Sequence, residues 1–173
     1  MTRTFVAIDF ELASRAPWTA CAVGLVRVEG HRIVRRVTRL IRPPPTVFSF
    51  TWLHGITRAQ VASAPSFAAV WRELAPWLRD AEFIAAHKAS FDRRVLEQCA
   101  LRFGVSIPRI PFRCTVDLAL STWRLRPARL PDVARHLGIP LRHHDAGSDA
   151  EACARIVLAA RAARRRDRIT ARR

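Results

Sequence analysis

The stretch Phe5-Val6-Ala7-Ile8-Asp9-Phe10-Glu11 restricts the fold more than any other part of the chain. Phe5 to Ile8 form a nearly continuous apolar run, the pattern of a strand covered on both faces. Asp9 and Glu11 follow at i and i+2, a spacing that turns both side chains to the same face of an extended chain. Neighbouring carboxylates repel, and burial raises the cost of ionising either one. The pair therefore stands either past the strand end in solvated loop or beside a compensating cation, most simply a bound metal.

At 173 residues the chain fills one core and is too short for two ordinary domains. Half of it is hydrophobic and a quarter charged, a globular rather than a disordered composition. No apolar run has the length of a membrane span, and Met1 leads into the first strand without a signal peptide. A cytoplasmic protein without a membrane partner is expected. Cys21, Cys99, Cys114 and Cys153 are far apart in apolar settings, which argues against a zinc knuckle or a disulfide framework and for reduced core residues.

The formal charge of +16 comes from 30 basic against 14 acidic residues, and Lys88 is the only lysine. A polyanion, most simply nucleic acid, is the leading partner for such an excess. Charge alone does not separate DNA from RNA or from an anionic membrane surface.

After Glu11 a Pro-containing connection leads to a second strand near Thr19 to Val28, a turn at Glu29-Gly30, and a third strand near Arg32 to Ile41. The short turn makes these two an antiparallel hairpin. Pro43-Pro44-Pro45 opens a loop that runs through Phe48, Phe50, Trp52 and Leu53 to His54-Gly55-Ile56-Thr57. Thr57 with Gln60 fits a capping box, so a short helix starts at Arg58, and Ser66 opens another. A fourth strand spans Glu82 to Ala86, and a helix from about Ser90 to Phe103 ends at Gly104. Phe112 to Val116 reads as a fifth strand and Asp117 to Arg124 as a helix. Pro131 and Gly138 bracket one more helix. The last helix starts at Ser148, paired with Glu151 in a second capping box, and reaches about Ala163. Three strands followed by alternating helix and strand predict an α/β fold, a mixed five-stranded sheet with helices on both faces. The remaining residues, 164–173, form a basic C-terminal tail after a domain of residues 1–163. The run from Arg161 to Arg173 holds seven arginines against one aspartate and is either a phosphate-touching extension or an inert solvated end.

Two further acids matter for where they fall. Asp92 lies at the junction of the fourth strand and its following helix, and Asp149 in the first turn of the last helix. Each has an ordinary reading, since carboxylates favour helix N-termini. Together with Asp9 and Glu11, however, they give four carboxylates able to converge at one sheet edge, with His144 overhanging from a loop.

This set resembles the DnaQ-like (DEDDh) 3′→5′ exonuclease family, whose fold is the ribonuclease H-like one, and looks closest to its stand-alone bacterial members. Its three motifs correspond to Asp9-Phe10-Glu11, to His87-Lys88-Ala89-Ser90-Phe91-Asp92, and to His144 with Asp149 five residues on. The resemblance covers the chain from Phe5 to about Ala160. It implies an enzyme that hydrolyses phosphodiester bonds at 3′ ends of mainly single-stranded or frayed DNA and releases nucleoside monophosphates.

The implied cofactors are two Mg²⁺ ions, with Mn²⁺ able to substitute. Two such ions about 3.5–4 Å apart serve the attacking and leaving oxygens of an in-line displacement, and four carboxylates without cysteine suit hard, oxygen-seeking Mg²⁺. By the resemblance Asp9 bridges both ions, Glu11 and Asp149 complete one site, and Asp92 supports the other. His144, selected over His143 by its spacing to Asp149, is the implied general base.

The substrate contacts expected from the resemblance are Phe10, Leu12, Leu53, His54, Phe91 and Lys88. Ordinary core packing is the competing reading for Phe10 and Leu53. Leu12 and Lys88 depart from the threonine and asparagine common in the family, and Lys88 either contacts a phosphate or points to solvent. Two alternatives stay open: an RNA-trimming enzyme of the same fold, and a non-catalytic nucleic-acid-binding or polymerase-associated module.

Overall fold

The computed structural model describes residues 3–170. Three antiparallel strands come first: β1 (Thr4–Leu12), β2 (Ala20–Glu29) and β3 (Arg32–Leu40). Gly30, at φ 61°, makes the tight reversal between the last two. Four helical segments follow as α1 (Thr51–His54), α2 (Arg58–Val61), α3 (Phe67–Leu74) and a single 3₁₀ turn (Ala75–Leu78). The chain then alternates through β4 (Ile84–Ala86), α4 (Ala89–Phe103), β5 (Phe112–Cys114), α5 (Thr115–Trp123), α6 (Leu130–Leu137) and α7 (Ala146–Thr170).

The sheet order is β3-β2-β1-β4-β5, with β4 parallel to β1 and β5 parallel to β4. This is the five-stranded mixed sheet with helices on both faces that the element order predicts. Its central strand β1 is buried along both faces, as the apolar run requires. Val6, Ile8, Phe10 and Leu12 enter one core, with Phe67, Trp71, Leu74 of α3 and Val95, Leu96 and Cys99 of α4. Phe5 and Ala7 enter the other, with Val133 of α6 and Ala150, Cys153, Ile156 and Val157 of α7. The edge strand β3 keeps most of its residues exposed, and its arginines give that edge the charge that discourages pairing with another sheet. All four cysteines are free thiols, three of them buried. Among the described residues no helix is long and apolar enough to cross a membrane.

Several boundaries differ from those expected. The segment read as a loop through Trp52 and Leu53 contains the one-turn helix α1, closed by Gly55 in the left-handed conformation at φ 75°. Thr57 and Gln60 form the expected capping box on α2, and Ser66 caps α3 by accepting from the Ala69 N–H. The box expected at Ser148 and Glu151 does not form. α7 starts at Ala146, and Asp145 caps it by accepting the Ser148 N–H at 2.9 Å. The Ser148 hydroxyl instead takes the Arg142 N–H at 2.7 Å, and Glu151 pairs with Arg36 and Arg155. β5 gives way to α5 already at Thr115, and Pro131 is the second rather than the first residue of α6. α7 runs past Ala163 to Thr170, so the anticipated start of the tail falls inside a helix; residues 171–173 of that tail lie outside the described residues.

Candidate active site

β1 changes character along its length while its faces stay fixed. Phe5 and Ala7 pack under α7, so Asp9 and Glu11, two and four residues on, continue the same face toward the first turn of that helix. Asp149 sits in that turn. Its approach depends on two glycines. Gly24 pairs with Asp9 across the β1–β2 ladder, and a Cβ there would lie 2.0 Å from the Ala146 carbonyl oxygen; a Cβ on Gly147 would lie 2.2 Å from Thr38 Oγ1. Bare backbone at Gly24 lets the helix start descend onto the sheet, and at Gly147 it leaves room for the Thr38 side chain.

One oxygen from each of Asp9, Glu11 and Asp149 comes within 4.8 Å of the others. Asp149 Oδ2 accepts the His144 backbone N–H at 3.0 Å and lies 2.8 Å from His143 Nδ1. Its Oδ1 is buried without a hydrogen-bond partner. A buried carboxylate oxygen without a partner, on a residue grouped with two more carboxylates, fits a hard divalent cation. His143, His144 and Asp149 also lie within that mutual distance. Since the His143 contact to Asp149 is already a hydrogen bond, the carboxylate trio is the better cation site.

Asp92 approaches from the opposite layer. β4 is three residues long and its pairing with β1 ends at Ala7, so the Phe10 N–H beyond it has no strand partner. Asp92, in the first turn of α4, accepts that N–H at 3.0 Å through Oδ1. Asp92 is 1% exposed, Asp149 3% and Glu11 7%.

Burial and mutual repulsion set the titration of this group. Burial first, then Asp149, Asp92 and Asp145, push Glu11 up to about 8. Burial dominates for Asp92 as well, also raised to about 8, although the Phe10 N–H opposes it. Asp9 is held well above the usual carboxylate range by burial and by its acidic neighbours, Asp92 foremost. Burial raises Asp149 too, against the opposing His144 N–H and His143. A cation would relieve every one of these strains.

A cleft of about 730 Å³ opens over the carboxylates. His144 lines it in the left-handed conformation, at φ 68°, with its ring stacked on His143 at 3.8 Å. Burial and the adjacent His143 lower its affinity for a proton, which leaves a neutral imidazole free to accept one. His54, on α1, has a fixed tautomer. Its Nδ1 accepts the Ile56 N–H at 3.0 Å, so Nε2 carries the hydrogen and donates to the Leu12 carbonyl at 3.0 Å. This ties α1 to the end of β1.

The expected substrate contacts all reach the cleft, but unequally. Leu53 is half-buried on its wall and Phe91, 45% exposed, stands at its rim. Phe10 is 3% exposed with its ring 6.5 Å from that of Phe67, and Leu12 is likewise core, so both form floor rather than a free platform. Lys88 is exposed beside the cleft at φ 59°.

Arg15, Phe50, His87 and the start of α6 with the residue before it also line the cleft and were not among the expected site residues. Arg129, Asp132 and Arg135 line the cleft there, with Asp132 holding the two guanidiniums at 2.7 and 3.4 Å. Their spacing of three residues, which puts them on one helical face, was a legible signal. His87 bonds Thr115 Oγ1 at 2.9 Å, and burial depresses its titration to about 4.

A model of the exonuclease family, RNase_T, matches residues 6–157. The chain belongs to that family. This DnaQ-like exonuclease domain is 33% identical over 160 residues to the DNA polymerase III PolC-type protein of Thermotoga maritima, covering 90% of the chain but 12% of that relative. It thus spans a small part of the relative's length. Among solved structures it superposes on Exonuclease X in complex with 5′ overhanging duplex DNA, with TM-score 0.73, 24% identity and 90% of each chain covered. The nuclease domain of 3′hExo, a DEDDh family member bound to rAMP, gives TM-score 0.77 at 18% identity, covering 91% of this chain and 90% of that one. At these identities the superpositions establish the ribonuclease H-like fold.

Proposed function

We propose that the domain hydrolyses the last phosphodiester bond at a 3′ end of single-stranded or frayed DNA and releases a nucleoside monophosphate. The observation that carries this reading is the convergence of Asp9, Glu11 and Asp149 at the floor of an open cleft, Asp149 having one carboxylate oxygen buried without a partner. Asp9, Glu11 and Asp149 would hold one divalent ion, and Asp9 with Asp92 a second; Mg²⁺ suits these oxygen donors, with Mn²⁺ in its place. When bound, such ions supply the positive charge that favours an ionised water nucleophile and a departing 3′ oxygen.

The chain's own groups do the rest. His144 accepts the proton of the attacking water as the new P–O bond forms and the bond to the 3′ oxygen breaks. The proton required by that oxygen comes from solvent. The His144 N–H bond to Asp149 fixes the loop that carries the base to the carboxylate it serves. Leu53 and Phe91 flank the terminal base, and Arg129 and Arg135, oriented by Asp132, face the phosphates of the strand entering the cleft. The match to part of a DNA polymerase III protein supports DNA as the substrate and association with a polymerase as the setting.

The test is digestion of 5′-labelled DNA and RNA of matched sequence with Mg²⁺, Mn²⁺ or chelator. Wild type should yield a ladder shortening from the 3′ end, faster on DNA. Chelator and Asp92→Ala should abolish it, and His144→Ala should lower kcat by about 10²–10⁴-fold. Intact oligonucleotides under all conditions, with binding retained, would instead indicate a non-catalytic binding module; faster RNA digestion would reassign the substrate.

A further inference from the structure

A second concentration of charge lies at the end of the sheet remote from the carboxylates. The residue before β1, Glu82 two residues ahead of β4, β5 and the outer turns of α7 enclose a cavity of about 380 Å³, where Arg3, Arg113, Arg161, Arg164 and Arg165 meet that one carboxylate. Among the described residues none of the five arginines forms an ion pair.

Aromatic faces, a carbonyl and an imidazole place three of them instead. Phe5 and Phe83 stack at 5.0 Å, and their faces support the Arg161 guanidinium at 4.8 and 5.6 Å and that of Arg113, over Phe83, at 4.3 Å. Arg161 donates to the Gly30 carbonyl at 3.3 Å, and Arg165 lies 3.0 Å from His31 Nε2. The arrangement orients several planar donor forks, with Glu82 the one carboxylate in the cavity to offset their charge. An anion offering several oxygens is the complementary ligand.

The two sites are a definite distance apart. Along β1 Arg3 lies six residues before Asp9, roughly 20 Å, and along α7 Arg161 and Arg165 lie roughly 18–24 Å beyond Asp149. About six nucleotides stacked at about 3.4 Å cover that span in a straight line, and a path over the surface takes several more.

We propose that this cavity binds a backbone phosphate of the strand whose 3′ end occupies the cleft, at least six nucleotides to the 5′ side. The proposal rests on the exonuclease reading. Its consequence is a preference for long substrates, since a trinucleotide reaches only the cleft.

The experiment compares 5′-labelled oligothymidylates of three and twenty nucleotides, by turnover with Mg²⁺ and by fluorescence anisotropy in chelator. Arg164→Glu/Arg165→Glu, both exposed, should raise KM and the dissociation constant for the 20-mer about tenfold or more, flatten its salt dependence, and leave the trimer unaffected. Arg164→Gln/Arg165→Gln should act in the same direction with a smaller effect. Arg72→Glu/Arg102→Glu removes equally exposed charge away from both cavities and should leave the 20-mer preference intact.

Wild-type affinity for the 20-mer in the first variant, or equal loss in the control, would overturn the proposal. A loss confined to sedimentation with phosphatidylserine vesicles would assign the cavity to lipid headgroups and overturn it as well. Absence of turnover by wild type would sink the exonuclease reading alone, because the anisotropy comparison in chelator still decides whether the cavity binds the strand.

Discussion

Asp149 joins the two halves of the site: one oxygen receives His143 and the His144 N–H, the other is buried without a partner, and the carboxyl group comes within 4.8 Å of those of Asp9 and Glu11. The spacing from His144 to Asp149 was readable from the chain, whereas the role of His143 in holding the carboxylate depends on the left-handed turn at His144 and was not. Lys88 shows the same limit. Its departure from asparagine is plain in the sequence, but only the backbone explains why asparagine suits the position, which is left-handed at φ 59°. Lys88→Asn should therefore stabilise the protein by up to about 1 kcal/mol, seen as a higher urea midpoint at unchanged slope. A lower midpoint would show that Lys88 makes a compensating contact.

At the scale of elements, the start of α7 is fixed by the strand beneath it. Gly24→Ala would drive a Cβ into the Ala146 carbonyl, which is backbone and yields only if the helix start moves. Overpacking of this kind costs about 1–3 kcal/mol, and a displacement near 1 Å at a catalytic group costs about 10²-fold in rate. Calorimetry and turnover should show weakened Mn²⁺ binding and that loss of kcat/KM while circular dichroism stays native. Unchanged Mn²⁺ affinity would remove the glycine from the account. The strands and long helices were legible because apolar runs and helical periodicity extend over enough residues to register. α1 was not, since four residues are too few to display a period. The start of α7 was misread because Ser148 and Asp145 both satisfy capping rules. Tertiary contact decided between them, through the Arg142 N–H that occupies the Ser148 hydroxyl.

For the molecule as a whole, the buried acids couple cation binding to stability. Glu11 and Asp92 titrate near 8 in the folded chain, against ordinary values of 4.5 and 3.8. Between those limits the folded state retains protons that the unfolded state has lost, so without metal their stabilising effect is complete at low pH and vanishes as pH rises through about 8. The melting temperature in chelator should fall from pH 5 to pH 8.5, and Mg²⁺ should raise it more at pH 8.5 than at pH 6, where binding must first displace protons. A melting temperature independent of pH in chelator would contradict this coupling. The excess of positive charge was visible in composition, but its concentration at two opposite ends of the sheet is a product of topology, because Arg3, Arg113 and Arg161 come from distant parts of the chain. The most direct test of the central claim is a crystal structure with Mn²⁺ and a nucleoside 5′-monophosphate, with manganese located by anomalous scattering. The account predicts a peak bounded by Asp9, Glu11 and Asp149, with Asp149 Oδ1 a ligand and the phosphate against it. A peak on His143 and His144 instead, or none near the carboxylates, would contradict it.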